Sequence, residues 1–565
     1  MRIQLTYSFR YFLVVFIMLF VSMASWAQTA YTEELKLVES KLREGNFTEG
    51  LQLLDQISEK HPDAADIYYA KSLINGQLGN YAAAVENAAL AFQKSNNLFY
   101  ANHLLELYKS QKDYPSSIQL LEGLKTQYPV HEGLHRELLI MYASNDQLEV
   151  AERVYQELIQ KSHSDTLNLV MAEIYMNKNE LDPAKKILTR LEGKTMIPDV
   201  YGYLGYIYNH EGKQKDAIAA IERGIKRTND KSLYLDLADI HRDSKKYAAM
   251  YNALKIPFDE VEVPFWDKYK FLIELMNDPA IEANDKLQTL ANTLERSYPD
   301  VLEAQILKGE LLGKRGHVEE ARSVFLKVLS SNPRHVNAWR LVILSDLELG
   351  QVDQAIQHGQ EGLKHNPNNS HLLYFTSLAY AGQPDYDKSR ELLEQALNYS
   401  ENENNSIRSL IYGSLGDLYH QLKMENLSDA AYEEAITLDS TNVSALNNYA
   451  YYLAVRKKEL EKAAQFSKLS NELEPHSATF KDTYAWVLFQ QGNYQEALRW
   501  IEEAVKLNKT SAVMYEHYGD ILSKLKREKE AIVQWQKALD IDINNDSQQN
   551  LAKIQQKIQE RKYVE

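Results

Sequence analysis

The chain has 565 residues, of which 25% are charged and 44% hydrophobic, and its 79 acidic and 63 basic side chains give a formal net charge of −16. This length exceeds one compact core, so it predicts several domains or one extended repeat array. The absence of cysteine excludes disulfide scaffolds, cysteine-ligated metals, thiol catalysis and a lipidated N-terminal cysteine. The acidic balance argues against nucleic acid as a partner, because phosphate binding needs a basic stripe.

The first 27 residues have the pattern of an export signal. Arg2 and Arg10 form a basic start, residues 11–24 are nearly all apolar, and Ser25 and Ala27 lie at the positions that a signal peptidase recognises. The apolar run is shorter than the roughly 20 residues that a membrane-spanning helix needs, which favours cleavage after Ala27 over an uncleaved anchor. An exported chain without disulfides is typical of bacteria, so we expect a soluble periplasmic protein after cleavage.

Beyond this signal, small residues recur about every 34 residues, the length of one helix–turn–helix unit. In the C-terminal third they occupy one helical position at Ala485 and Gly519 and a second at Ala497 and Ala531. The first position continues towards the N terminus at Ala450, Gly416, Ser377, Ile343, Gly309, Ala238, Gly205, Ala172, Leu139, Leu105, Ser72 and Val38. With one degenerate unit between Ala238 and Gly309, about 15 units account for nearly all of the mature chain.

One interruption divides the array into two predicted segments. Residues 256–268 are acidic and aromatic and include Pro257 and Pro264, which we expect to end one helix and delay the next. The sequence therefore predicts a joint at 256–268 between an N-terminal solenoid, residues 28–255, and a C-terminal solenoid, residues 269–546.

Two further segments depart from the period. Residues 398–406 are rich in asparagine and glutamate, which predicts an exposed polar loop. Residues 547–565 place Leu551, Ile554 and Ile558 on one face of a helix and charges on the other, which favours a capping helix.

The repeat is identified as that of the tetratricopeptide repeat (TPR) superfamily by its small residues and inter-unit prolines, such as Pro333 and Pro475. The resemblance implies an all-α, right-handed superhelical solenoid in which the first helix of each unit, helix A, lines a concave groove. The stretch from Leu446 to Asp520 is also similar to the C-terminal units of bacterial envelope TPR proteins. Among these are adaptors that deliver cell-wall hydrolases to a processing protease, so the resemblance implies protein or peptide partners.

The positions of helix A that face the groove in this superfamily identify candidate contacts. They fall on Gly202, Tyr206 and Asn209 in one unit, on Asn447 and Tyr451 in another, and on Asp482, Trp486 and Phe489 in the next. Asparagine amides pair with a peptide backbone and aromatic rings add contact area, so Tyr206, Asn209, Asn447, Tyr451, Trp486 and Phe489 are the predicted partner-binding residues. The alternative is that these side chains pack between repeats.

A match to a zinc-protease motif is the strongest sign of enzymatic chemistry. His131, Glu132 and His135 fit H-E-x-x-H, but Pro129 and Gly133 place the first histidine in a turn between units, and no third ligand is apparent. A chance match is therefore favoured, with a metal hydrolase as a minor alternative. No phosphate loop, nucleophile elbow or dinucleotide motif occurs. We expect no catalytic residue, no metal site and no cofactor.

The function that these patterns favour is a non-enzymatic periplasmic scaffold or adaptor in cell-envelope assembly, secretion or proteolysis. Its expected partner is a protein or peptide of the envelope, and docking beside a membrane complex stays open, as does the oligomeric state. The alternative is an accessory subunit of polysaccharide export or cell-wall synthesis that contacts glycan, because Trp486 can also stack on sugars.

Overall fold

The computed structural model describes residues 31–161, 163–281, 284–383, 386–401, 403–543 and 548–564. The predicted signal at 1–27 lies outside these residues. Within them the chain forms 31 α-helices and no strand, which confirms the predicted all-α fold. No helix in the described ranges is both long enough and apolar enough to cross a membrane.

The helices of the first half are α1 Thr32–Arg43, α2 Phe47–Lys60, α3 Ala65–Gln77, α4 Tyr81–Ser95, α5 Leu98–Ser110, α6 Tyr114–Gln127, α7 Glu132–Ser144, α8 Leu148–Lys161, α9 Asp165–Asn177, α10 Leu181–Leu191, α11 Pro198–His210, α12 Gln214–Thr228, α13 Leu233–Asp243 and α14 Tyr247–Asp259. Those of the second half are α15 Phe265–Asn277, α16 Asp285–Ser297, α17 Leu302–Lys314, α18 Val318–Ser331, α19 Val336–Glu348, α20 Val352–His365, α21 Ser370–Ala381, α22 Tyr386–Asn398, α23 Asn405–Gln421, α24 Glu425–Leu438, α25 Val443–Val455, α26 Leu460–Leu473, α27 Ala478–Gln490, α28 Tyr494–Leu507, α29 Ala512–Lys524, α30 Glu528–Ile543 and α31 Gln548–Glu560.

Consecutive helices pair into hairpins, and every small residue predicted at the crossing point lies on an odd-numbered helix and is buried. The odd helices up to α29 are therefore helix A of their units, and α31 is left unpaired. At Gly309 an added Cβ would lie 2.4 Å from Phe325 Cε1 on helix B, and at Gly519 it would lie 2.4 Å from Trp535 Cδ1. Such close approach explains why this position selects small residues in the units whose helix B carries a large ring.

Turn and cap chemistry divides the array into these hairpins. The turn within a unit needs one residue in the left-handed region, filled by Gly316 (φ 80°) between α17 and α18 and by Lys423 (φ 59°) between α23 and α24. Several A helices begin at a polar cap, as where the Asn442 side chain accepts from the Ala445 backbone N–H at 3.1 Å, whereas others, such as α17 after Val301, have none. The sequence pattern of turn, cap and apolar stripe thus repeats with the units.

The chain divides into two compact units between Pro257 and Phe258. The expectation that Pro257 ends a helix is wrong, because α14 continues through it to Asp259. A proline in the last turn removes few helical hydrogen bonds, so the helix tolerates it there. Only residues 260–264 are non-helical, and most of the segment predicted as a joint, 256–268, belongs to α14 and α15.

The end of the array is covered by α31. Ile554 is fully buried, and Leu551 and Ile558 pack beside it against the core formed by α27 to α30. The sequence did not predict that Lys557 is buried as well, with its Nζ 2.6 Å from Glu516 Oε1 and 2.7 Å from Asp520 Oδ2. The ion cluster of Lys557 and the apolar stripe of Leu551, Ile554 and Ile558 therefore both hold the last helix to the array.

Candidate functional site

Polar side chains connect the A helices of successive units. In the second compact unit, Asn448 Nδ2 donates to Asp417 Oδ1 at 3.0 Å, and His517 Nδ1 lies 2.8 Å from Asp482 Oδ1. In the first, the Tyr203 hydroxyl donates to Glu173 Oε1 at 2.9 Å. Each of these contacts joins residues about one repeat apart in sequence. Neighbouring A helices therefore share one polar face in each of the two compact units.

On this face, aromatic and titratable side chains lie next to one another on α25, α27 and α29. The Trp486 ring stacks on His517 with 4.1 Å between ring centroids and on Phe489 with 4.8 Å. Burial lowers the pKa of His517, but the nearby carboxylates, Asp482 first and then Asp520 and Glu516, together outweigh burial and raise it. The imidazole that these acids surround is the ring on which Trp486 stacks.

Tyr451 faces the same carboxylates. Its pKa is raised by burial and then by the charges of Asp482 and Glu516. Tyr451 and Trp486 are each half-buried, so both rings keep part of their surface in solvent. The structure therefore places two of the predicted contacts near Asp482: Tyr451, and Trp486 through its stacking on His517.

Two other predicted contacts are buried. Phe489 is only 4% exposed and packs against Trp486, Tyr494 and Tyr563. Its prediction as a direct contact needs correction, because Tyr563 beyond α31 takes up the surface that the repeat pattern leaves open.

Asn447 is also 4% exposed, and its Nδ2 donates to Asn448 Oδ1 at 3.1 Å. Its Oδ1 is buried and has no hydrogen-bond partner in the described part of the chain. Buried polar atoms are normally satisfied, so this oxygen is an acceptor site that a buried water would fill. Asn447 itself offers little surface to a partner, because its side chain is buried.

The candidates of the first compact unit are separate from these. Tyr206 on α11 is 54% exposed and lies beside His210, with 6.2 Å between the ring centroids. Asn209 Nδ2 donates to Asp243 Oδ2 at 2.6 Å, which ties this amide to α13. Tyr206 is therefore accessible, whereas Asn209 already has a partner within the chain.

An exposed aromatic residue that the repeat pattern did not predict lies at the start of the second compact unit. Trp266 is 60% exposed on α15, the A helix of its unit. Tyr269 stands three residues before Leu272, as Gly202 stands three before Gly205 on α11, so it occupies a groove position of a regular helix A. Trp266 lies about one turn before Tyr269 on α15, and their ring centroids are 5.4 Å apart.

The histidine motif forms no metal-binding cluster. His131 is the N-cap of α7, where its Nδ1 accepts from the Leu134 backbone N–H at 3.3 Å, and His135 is 6% exposed inside the helix. Within the described residues, no group of three or more His, Cys, Asp or Glu side chains is placed to hold a metal ion. The cap explains why a histidine precedes this helix.

A cleft of about 470 Å³ lies between α4, α5 and α6. Its lining is uncharged and combines the apolar or aromatic Phe92, Leu104, Tyr108, Leu120 and Leu124 with the polar Asn96, Ser116, Gln119 and Gln127, beside Gly123. A volume in this range suits a small molecule, and such a lining suits a neutral one.

These features define a helical-repeat protein whose polar and aromatic chemistry is carried by the A helices of stacked hairpins. Two family models described as Tetratricopeptide repeat match residues 35–97 and 315–541. The chain belongs to the tetratricopeptide repeat superfamily.

Two relatives are named as TPR repeat-containing proteins. A TPR repeat-containing protein of Methanocaldococcus jannaschii is 24% identical over 418 residues, which are 68% of this chain and 70% of that protein. A TPR repeat-containing protein of Pseudomonas aeruginosa is 25% identical over 210 residues, 37% of this chain and 29% of that protein. Among solved structures, the Cut9–Hcn1 hetero-tetramer of APC/C is 14% identical with a TM-score of 0.40, covering 86% of this chain and 95% of that one.

Proposed function

We propose that this chain is a non-enzymatic, exported scaffold that binds proteins of the cell envelope through the A helices of its second compact unit. The cluster of Tyr451, Trp486 and His517 supports the proposal most directly. Partly exposed aromatic rings commonly anchor interfaces, and both Tyr451 and Trp486 are half-buried. TPR repeats are built for protein–protein contact, which supports the class of partner.

Replacing the anchoring rings tests this assignment. Trp486→Ala and Tyr451→Ala should each weaken association with the native partner by about 2 kcal/mol, the usual size for an anchoring aromatic residue. The readout is the yield of each co-purifying envelope protein by quantitative mass spectrometry, with circular dichroism as the check on folding.

Trp500 provides a matched control. It is a half-buried tryptophan on α28, a B helix, where it packs edge-on against Tyr484. Trp500→Ala removes an indole ring of the same kind from a B helix instead of an A helix. We therefore expect the yield of the co-purifying partner to stay at the wild-type level. Equal yield from Trp486→Ala and wild type would refute the site, as would loss only in variants that have unfolded.

The proposed role as an envelope adaptor for assembly, secretion or proteolysis rests on the pattern of an export signal. A fusion of residues 1–60 to a reporter that is active only outside the cytoplasm should be active, and deletion of residues 11–24 should abolish its activity. A reporter that stays inactive with the intact segment would rule out export.

Glycan contact is a second candidate function, and the uncharged cleft of the first compact unit favours it. Aromatic faces beside amide side chains are suited to a neutral sugar, which has apolar faces and hydroxyl groups. Gly123 borders the cleft, and an added Cβ there would meet no atom within 4 Å. Gly123→Leu should therefore reduce any binding to a glycan array without disturbing the helices, whereas unchanged binding would exclude the cleft.

A further inference from the structure

The strongest feature outside the site described above is an aromatic cluster at the beginning of the second compact unit. Trp266 lies 4.9 Å from Phe265 and 5.4 Å from Tyr269 between ring centroids, and its plane is tilted by 84° to that of Tyr269. Phe265 in turn packs against Tyr269 and Tyr298. Trp266 is 60% exposed, so a ring supported from behind presents most of its surface to solvent.

The chain before this cluster is firmly held. The Tyr298 hydroxyl donates to the Val261 carbonyl at 3.3 Å and to the Val263 carbonyl at 3.2 Å. Lys268 is fully buried, and its Nζ donates to the Glu260 carbonyl at 2.7 Å while lying 4.9 Å from the Tyr298 ring centroid. Because the linker is fixed, little conformational entropy is lost when a partner contacts the surface beside it.

The charge around the cluster is acidic. The segment 258–267 contains Asp259, Glu260, Glu262 and Asp267 and no basic residue. Burial, then the charges of Glu310 and Glu303 on α17, raise the pKa of Tyr269, so acids on the next A helix also face this cluster.

The basic groups nearby already have partners. Arg296 pairs with Asp259 at 3.5 Å, Arg340 with Glu310 at 3.9 Å, and Lys270 with Glu274 at 4.0 Å. Lys268 is turned inwards to the Glu260 carbonyl. The exposed charge beside Trp266 that these pairs leave unmatched, carried by Glu262 and Asp267, is therefore negative.

We propose that Trp266, Tyr269 and the acidic segment 259–267 form a docking surface for a partner segment in which lysine or arginine adjoins apolar side chains. The exposed ring takes a cation over its face or an apolar side chain against it, and the carboxylates attract the basic residues. Val261, which is 68% exposed, extends the apolar part of the surface. This inference rests on the proposed scaffold function and names the chemistry of one class of partner.

A pair of synthetic peptides tests the proposal on the full mature chain. One fluorescein-labelled peptide alternates lysine and leucine, and the other replaces each lysine by glutamate. We expect the basic peptide to bind in fluorescence anisotropy and the acidic peptide not to bind. Trp266→Ala should raise the dissociation constant by about tenfold or more, and Trp266→Phe should restore much of the affinity.

Matched variants separate this surface from a general attraction to an acidic protein. Tyr399→Ala removes another exposed ring from the same compact unit, 49% exposed, and should change the dissociation constant by less than about twofold. Glu262→Gln with Asp267→Asn should weaken binding more than Glu401→Gln with Glu434→Gln, which removes the same charge elsewhere.

The outcomes distinguish this inference from the proposed function. Equal affinity of wild type and Trp266→Ala, no binding of the basic peptide, or equal binding of both peptides would overturn the docking surface. If partner capture still depended on Trp486 in that case, the scaffold function would stand. Loss of peptide affinity in folded Trp266→Ala, with Tyr399→Ala unaffected, would support the surface.

Discussion

Replacement of Lys557 by methionine tests how the terminal helix is held to the array. Lys557 is 1% exposed, and its ammonium lies between Glu516 and Asp520, which are 8% and 1% exposed. Methionine fills a similar volume and removes the ammonium that contacts both carboxylates. Removing one partner of a buried ion pair costs about 3 to 5 kcal/mol, because the remaining charge has neither water nor a counter-ion. We expect a loss near the lower limit, since Trp535 Nε1 still donates to Asp520 at 2.9 Å.

The pH dependence of this loss identifies its cause. Burial raises the pKa of Asp520 to about 6, with Lys557 opposing the rise, whereas an unfolded aspartate titrates near about 3.9. Because the folded pKa is the higher one, protonation of Asp520 favours the folded state as the pH falls below 6. Without Lys557 the folded pKa rises further, so the variant should lose less stability at pH 5, about one unit below that value, than well above it at pH 8.

Hydrogen exchange with mass spectrometry measures the effect locally, which suits an array whose repeats need not unfold together. A loss of about 3 kcal/mol predicts roughly a hundredfold faster exchange of α31 amides after correction for intrinsic rates. Lys553→Met is the control, because Lys553 is exposed on the same helix. If Lys557→Met exchanged no faster than Lys553→Met, or if its loss were equal at both pH values, the ion cluster would not be what holds α31.

Three further outcomes follow from the packing, the linker and the signal. Gly309→Ala should cost about 1 to 3 kcal/mol by overpacking, whereas Gly76→Ala, with open space around its added Cβ, should not destabilise, as thermal melts would show. Tyr298→Phe removes the hydroxyl that holds the linker, so limited proteolysis should cut residues 260–264 faster than in wild type. Amino-terminal sequencing of the exported protein should begin at Gln28, and a start at Met1 would contradict cleavage.

The repeat frame could be predicted from the sequence because it depends on local spacing. A small residue at the crossing point, as at Gly416 against Tyr432, recurs with the period and fixes which helix is A and which is B. The burial of Phe489 could not be predicted in this way, since Tyr563 covers it from outside the periodic units. Trp266 was missed for a related reason: two prolines suggested a joint, but Pro257 lies in a last helical turn and Pro264 caps α15.

The polar contacts between A helices also give a reason for the buried Lys557 on the last helix, α31. An acid on one A helix is satisfied by the next repeat, as Asp417 is by Asn448 and Asp482 is by His517. Glu516 and Asp520 lie at the corresponding places on α29, and the helix that follows this hairpin in the described residues is α31. Buried carboxylates are stabilised by a nearby cation, and Lys557 Nζ contacts both of these acids. Lys557 therefore continues the polar face onto α31, which also covers the apolar core.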